Sequence, residues 1–171
     1  PPGLGRRPPR CFSFTMATPL HRAALSGDVA TAEALLRQRD AADAVDVGDA
    51  QGRTPLHGAA LAGHMHVARL LVEARCATDV EDVKGTTPLV FASGRGAAAL
   101  VRLLLEHGAA ASVPALHAAV LQGHAKVAAL LIDAGAPIHA PASQRSASAL
   151  HLAALKGDAS VLQLLLRRRA D

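Results

Sequence analysis

Residues 49–64 read Asp-Ala-Gln-Gly-Arg-Thr-Pro-Leu-His-Gly-Ala-Ala-Leu-Ala-Gly-His, and the Thr-Pro-Leu-His segment within them recurs along the chain. Versions of this segment begin at Thr18, Thr54, Thr87, Pro114 and Ser148, so successive starts are 36, 33, 27 and 34 residues apart. A glycine follows nine residues after each start. Self-similarity at a nearly constant period predicts an array of about five structural repeats.

Each repeat carries the signals of two short helices. Threonine before proline favours a helix start, because the hydroxyl can cap free N–H groups and proline at the first position has no N–H to lose. Leu56, Ala59 and Ala60 then share one helix face, and Gly63 permits the left-handed turn that ends the helix. A second apolar pattern with helical spacing begins at Val67. The unit is therefore predicted to be a helical hairpin.

These helices are predicted to be about eight or nine residues long, which is below the length at which isolated helices are stable in water. Only three residues of the 171 are aromatic, so the core has to be built from alanine, leucine and valine. Stability must come from stacking neighbouring units into one continuous core.

The segment 49–64 resembles the signature of the ankyrin repeat family, and the resemblance extends over residues 17–171. It implies an all-α repeat solenoid of stacked ankyrin helix-turn-helix units with short β-turn or hairpin fingers. Residues 17–171 are expected to form one ankyrin repeat domain of about five repeats, the last without a clear cap. Residues 1–16 are rich in proline and arginine, and we expect them to be a disordered extension.

Departures from the repeat predict local differences. The link between the third and fourth units is short, and the segment 108–114 has no Asp-x-x-Gly turn, so that finger should be truncated. Gly108 and Gly135 are expected to close two outer helices. Arg39 and Arg75 hold the matching places, where a left-handed residue would be strained, so those helix ends are expected to be remodelled.

The amino-acid composition limits the class of partner and the cellular compartment that we expect. The formal charge is +4, but the excess lies in the arginines near the two ends, and the body between them is close to neutral. We therefore do not expect nucleic acid to be the partner, although an Arg-rich nucleic-acid-binding protein is the alternative. Two cysteines make no disulfide framework, which favours an intracellular location in cytoplasm or nucleus. No apolar run has membrane-spanning length, so we expect no membrane partner. No heptad seam suggests a dimer, so we expect a monomer.

Histidines and glycines suggest two further sites, which the repeat explains better. His64-x-His66 has the spacing of a chelating pair, but no cysteine or carboxylate cluster completes a metal site. The resemblance implies that His21, His57, His117 and His151 bond the backbone of the adjoining finger. Gly94-x-Gly96 imitates a dinucleotide-binding turn, yet the register places the preceding residues on a helix. We expect no cofactor, no metal, no small-molecule substrate and no enzymatic activity.

The resemblance implies a protein-binding scaffold or adaptor that uses the concave face of the inner helices and the finger tips. An alternative within the family is the substrate-recognition segment of a longer ubiquitin-ligase receptor. Apolar contact residues are predicted on the inner helices, where Phe91 is a rare aromatic. The candidate partner-binding residues are Leu25, Leu61, Phe91, Leu121 and Leu155 on the inner helices and Gln51, Arg53, Lys84 and Thr86 at the finger tips.

Overall fold

A computed structural model describes residues 17–38, 44–139 and 147–168, and within these ranges the chain forms ten short helices. In chain order they are α1 (Pro19–Ser26), α2 (Val29–Leu36), α3 (Pro55–Ala62), α4 (Met65–Glu73), α5 (Pro88–Gly94), α6 (Ala98–Glu106), α7 (Val113–Leu121), α8 (Ala125–Asp133), α9 (Ala149–Lys156) and α10 (Ala159–Arg167). Consecutive odd-numbered helices pack side by side as an inner layer, and consecutive even-numbered helices pack as an outer layer. The predicted all-α repeat solenoid is confirmed.

The inner helices begin where the repeated motif begins. Thr54 precedes α3, Pro55 is its first residue, and the Thr54 N–H donates to Nδ1 of His57 over 3.0 Å. α1 starts in the same way, with the Thr18 N–H donating to His21 Nδ1 over 3.1 Å. The histidine thus satisfies a backbone donor that the helix leaves free, which fixes where the helix starts.

A glycine in the left-handed region joins the two helices of each unit. Gly27 has a φ of 76°, and a Cβ atom there would lie 2.6 Å from Nδ1 of His64 in the next unit. Gly96 repeats this arrangement with the ring of His124, also at 2.6 Å. These glycines therefore serve both the turn and the close approach of the neighbouring unit.

One continuous apolar core lies between the two layers. Leu56, Ala59 and Ala60 of α3 are fully buried, as the helix-face pattern predicts. Leu71 in α4 and Leu104 in α6 are also fully buried. Because the same positions are buried in successive units, each unit stabilises the one beside it.

The ends of the outer helices correct one expectation. Gly108 and Gly135 have φ angles of 89° and 88°, which confirms that they close α6 and α8 in the left-handed region. Arg75 has a φ of 60°, so it takes the same left-handed conformation and the end of α4 is not remodelled. The prediction for Arg75 was wrong because the helix end is closed by hydrogen bonds from the Arg75 N–H to the Val72 carbonyl and from the Cys76 N–H to the Leu71 carbonyl, and the arginine backbone takes the strained conformation that these bonds require. Arg39 and residues 1–16 lie outside the described residues.

Candidate functional site

Two hairpin fingers project before α3 and α5. In the first, the Asp49 N–H donates to the Arg53 carbonyl and the Asp49 carboxylate accepts from the Gln51 and Arg53 N–H groups, all over 2.9 Å. Asp82 builds the second finger identically, accepting from Lys84 and Thr86. The Val83 N–H donates to the Gln51 carbonyl over 3.0 Å and joins the two fingers.

The side chain of Asp82 is held as a carboxylate inside this finger. Burial by itself raises its pKa, but the Thr86 and Lys84 N–H donors and the nearby His57 outweigh that effect, so the pKa lies below the ordinary range. The Arg53 guanidinium lies 3.6 Å from the buried carboxylate. Asp82 therefore fixes the shape of its own finger and the position of the arginine on the finger before it.

Phe91 lies where these groups meet the inner layer. Its ring makes an edge contact with His57, with centroids 6.1 Å apart, and the Arg53 guanidinium lies 5.6 Å from its centroid. Phe91 itself is half-buried. The structure thus brings together Arg53 and Phe91, two of the predicted contact residues from different parts of the chain.

The predicted leucines form a row along the exposed ends of the inner helices, one per unit except the third. Leu25, Leu121 and Leu155 are 48%, 37% and 83% exposed, and Leu61 is half-buried. A Cβ atom on Gly58 would lie 3.2 Å from Leu25 Cγ, so Leu25 also covers the backbone of α3. In the third unit Gly94 takes the equivalent position.

The predicted tip residues divide into two kinds. Gln51 and Lys84 are exposed. Arg53 is engaged with Asp82 and Phe91, and the Thr86 carbonyl accepts a hydrogen bond from His57 Nε2 over 3.0 Å. The Thr86 side chain also hydrogen-bonds Asp82, so among the predicted tip residues Gln51 and Lys84 are the two whose side chains make no such contact with the described residues.

A gap in the row of fingers lies between the third and fourth units. Residues 109–112 run into α7 without a turn, and the Ala110 N–H donates to the Asp79 carboxylate over 3.0 Å. The truncated finger is confirmed. It also explains Val90, which replaces the repeated histidine, because the next unit has no finger carbonyl for a histidine to reach.

The repeated histidines differ more than the sequence predicts. His21 Nε2 bonds the Arg53 carbonyl over 2.8 Å, and His57 bonds Thr86, as expected. His117 is buried, its Nε2 has no hydrogen-bond partner among the described residues, and burial lowers its pKa. His151 is exposed, and its Nδ1 bonds Ser148 Oγ. The finger that would face His117 includes residues 140–146, which lie outside the described residues, so the finger contacts expected of His117 and His151 stay predictions.

The possible chelating pair and the possible nucleotide-binding turn both have structural roles. His64 Nε2 contacts the Leu25 carbonyl at 3.1 Å, and residues 88–94 form α5 rather than a strand before a nucleotide-binding turn. Arg168 forms an ion pair with Asp133, whereas Arg169 and the N-terminal arginines lie outside the described residues. Within residues 17–38, 44–139 and 147–168, no cluster of three or more His, Cys, Asp or Glu is placed to hold a metal. In the same ranges no helix is long and apolar enough to cross a membrane.

Comparison with known proteins agrees with this geometry. A family model described as "Ankyrin repeats (3 copies)" matches residues 20–114 and 74–142, and one described as "Ankyrin repeat" matches residues 147–171. Among solved structures, the crystal structure of the human ASB11 ankyrin repeat domain superposes with a TM-score of 0.82 at 30% sequence identity. That match covers 90% of this chain and 70% of the ASB11 chain.

Proposed function

The chain belongs to the ankyrin repeat family, and we propose that it is a non-enzymatic scaffold that binds a protein segment along a row of side chains on its inner helices, the inner-helix row. Ankyrin repeats generally mediate protein–protein interactions. The partner surface proposed here consists of Leu25, Leu61, Phe91, Leu121 and Leu155, with the exposed finger tips as its polar edge.

The single observation that carries the proposal is the exposure of leucine at equivalent positions. Leu155 is 83% exposed, and Leu25 and Leu121 are 48% and 37% exposed, so a repeated apolar side chain is held in solvent. The fold does not need a leucine there, because Gly94 holds the position in the third unit while α5 still forms. A line of exposed apolar groups is typical of an interaction surface.

The finger tips would supply the polar rim that surrounds an apolar contact. Gln51 and Lys84 are exposed and free to meet a partner's polar groups. Arg53 would act differently, because its guanidinium already lies beside the Phe91 ring and is oriented by Asp82. A partner group at Phe91 would therefore meet an arginine that needs little reorientation, which reduces the entropy lost on binding.

We further infer that the bound segment crosses the inner layer at the missing finger. Val83 on the last finger before the gap is 60% exposed, and Phe91 on α5 of the same unit is half-buried. The absence of a turn in residues 109–112 leaves room on that side. A segment at this point could contact both Phe91 and Leu121.

Cys76 contributes nothing to this surface. Cys76 is buried, and burial raises the pKa of its thiol to about 12, so it is a poor nucleophile and a poor metal ligand. A buried free thiol supports the proposal of a reducing intracellular compartment.

The test is affinity capture from cell extract with three forms of the chain. Leu121→Asp with Leu155→Asp places two negative charges in the exposed row, while the control Leu166→Asp places one at another exposed leucine, 56% exposed on α10. We expect a protein retained by the wild type and by Leu166→Asp to be lost from the double variant. Circular dichroism should show that all three forms are folded.

A purified partner that bound all three forms with equal affinity would remove the inner-helix row from consideration. Conversion of a substrate by the isolated chain would contradict the scaffold proposal itself.

A further inference from the structure

A second surface lies on the outer layer, away from the inner-helix row. A groove of about 530 Å³ runs between α4 and α6 and reaches the start of α8. Its floor is apolar, with Val72 and Leu103 only 6% and 7% exposed, and the partly exposed Met65 beside them. Its walls carry Arg69, Glu73, Arg102, Glu106 and Lys126.

The charges on this groove are arranged in rows of like sign. Arg69 and Arg102 occupy equivalent positions in neighbouring repeats, as do Glu73 and Glu106 one turn later. Adjacent outer helices therefore place arginine beside arginine and glutamate beside glutamate. Lys126 adds a third positive charge near the N-terminal ends of the outer helices. Rows of like charge repel one another at helix-packing distances, so they favour a partner of opposite charge.

These five charged groups are not neutralised within the protein. Through the part of the chain that the structure describes, none of them forms an ion pair or a side-chain hydrogen bond. The outer layer pairs its charges elsewhere: Arg37 contacts Glu33 on α2 at 3.2 Å, and Arg168 pairs with Asp133 on α8. The unpaired rows thus distinguish the groove from these two paired positions of the outer layer.

We propose that this groove binds an amphipathic helix of a protein partner, with acidic residues facing Arg69, Arg102 and Lys126 and basic residues facing Glu73 and Glu106. The helices that form the walls are nine residues long, or about 14 Å, which matches two to three turns of a bound helix. Leucine or similar side chains of that helix would pack against the partly exposed Met65 and over the small exposed parts of Val72 and Leu103. The charge order makes the site selective, since a helix of uniform charge would be repelled by one of the two rows.

This site is independent of the proposed inner-helix row, because the two lie on opposite layers. A contact of this length buries less area than a standard interface, so its affinity alone should be weak. A partner that also contacts the inner-helix row would bind more tightly and more selectively, because two weak contacts would then be linked in one molecule.

The probe is a designed, acetylated and amidated peptide of roughly 18 residues, long enough to form a helix. It carries leucines along one face, glutamates in one half and lysines in the other. A second peptide keeps the leucines and replaces every charged residue with glutamine. We expect the charged peptide to bind about tenfold more tightly than the glutamine peptide, as several exposed charge pairs would provide. Backbone NMR shifts should change mainly in residues 65–73 and 98–107.

The decisive variant is Arg69→Glu with Arg102→Glu. It should weaken binding of the mixed-charge peptide about tenfold and strengthen binding of an all-lysine version of the peptide. The matched control, Arg22→Glu with Arg95→Glu, makes the same charge change at two exposed arginines outside the groove and should alter neither affinity. If the Glu variant does not fold, Arg69→Gln with Arg102→Gln tests the loss of attraction.

Three results would overturn the proposal. They are no binding of the mixed-charge peptide at millimolar concentration, NMR shifts confined to the inner helices, or equal weakening by the groove variant and its control.

Discussion

Replacing His57 with alanine tests the bond that links successive repeats. The imidazole is fully buried on α3, accepts from the Thr54 N–H at 3.0 Å, and has its Nε2 3.0 Å from the Thr86 carbonyl. Its ring also makes the edge contact with Phe91. His57→Ala would therefore leave the buried Thr54 N–H without its acceptor, reduce the Thr86 carbonyl to its bond from the Asp82 N–H, and open a cavity between the second and third units.

The expected cost follows from these contacts. An unsatisfied buried donor or acceptor costs about 1–3 kcal/mol, and loss of a buried ring adds a transfer and cavity cost. Thr54 is only 1% exposed, so bulk solvent does not reach its N–H in the intact protein. We expect His57→Ala to lower the free energy of unfolding by about 3–5 kcal/mol, measured by urea denaturation.

The same repeat position supplies the control. His151 on α9 is exposed and its Nδ1 bonds Ser148 Oγ, at 2.7 Å, so His151→Ala should cost less than about 1 kcal/mol. Losses of equal size in the two variants would refute the reasoning, because they would show that position in the repeat, rather than burial and hydrogen bonding, sets the cost.

Burial also gives this histidine a pH signature. It lowers the pKa of His57 below the ordinary value of 6.5, so the unfolded chain takes up a proton that the folded chain excludes. The free energy of unfolding should therefore be highest above about pH 6.5 and fall as the pH decreases, by up to about 1.4 kcal/mol per pH unit for one such group. The slope should be smaller in His57→Ala, with His117 contributing what remains.

Three further predictions concern the array. Arg75→Gly should raise the free energy of unfolding by about 1 kcal/mol in urea denaturation, because the φ of 60° is strained for arginine; a clear loss would show that the side chain matters more than the strain. Leu104→Ala, which removes a fully buried side chain from α6, should cost roughly 2–5 kcal/mol, and a loss below about 1 kcal/mol would contradict the register. Hydrogen exchange should be faster in residues 150–168 than in residues 87–133, because the last unit has a described neighbour on one side only; uniform protection would oppose this.

The repeat boundaries and buried faces could be predicted because their signals are local. Leu56, Ala59 and Ala60 lie at helical spacing, and the glycine nine residues after each motif start can be found without any knowledge of the packing. The missing finger followed from the length of the link and the lack of a turn sequence. Such features depend on neighbours along the chain.

Features that depend on neighbours in space could not be predicted in this way. Arg75 looks incompatible with a left-handed turn until the hydrogen bonds that close the helix end are known. Arg53 looks like a free finger tip, yet Asp82 and Phe91 from the next unit engage it. The sequence shows the aspartate that starts each finger. It does not show that this aspartate contacts the arginine of the preceding finger, which only the structure reveals. Likewise, the reason that Val90 replaces the repeated histidine is the missing finger of the next unit. That reason became clear only when the contacts of His21 and His57 with their fingers were known.

The proposed binding surface is tested most directly by titrating the purified partner against Phe91→Ala combined with Leu121→Ala. Phe91 is half-buried and Leu121 is 37% exposed, so both truncations should leave the helical circular dichroism signal intact. The account predicts that affinity falls by more than about 2 kcal/mol, as truncation of central contact residues does. Unchanged affinity in the folded double variant would contradict it and would place the site elsewhere, with the finger tips around Gln51, Arg53, Lys84 and Thr86 next to be tested.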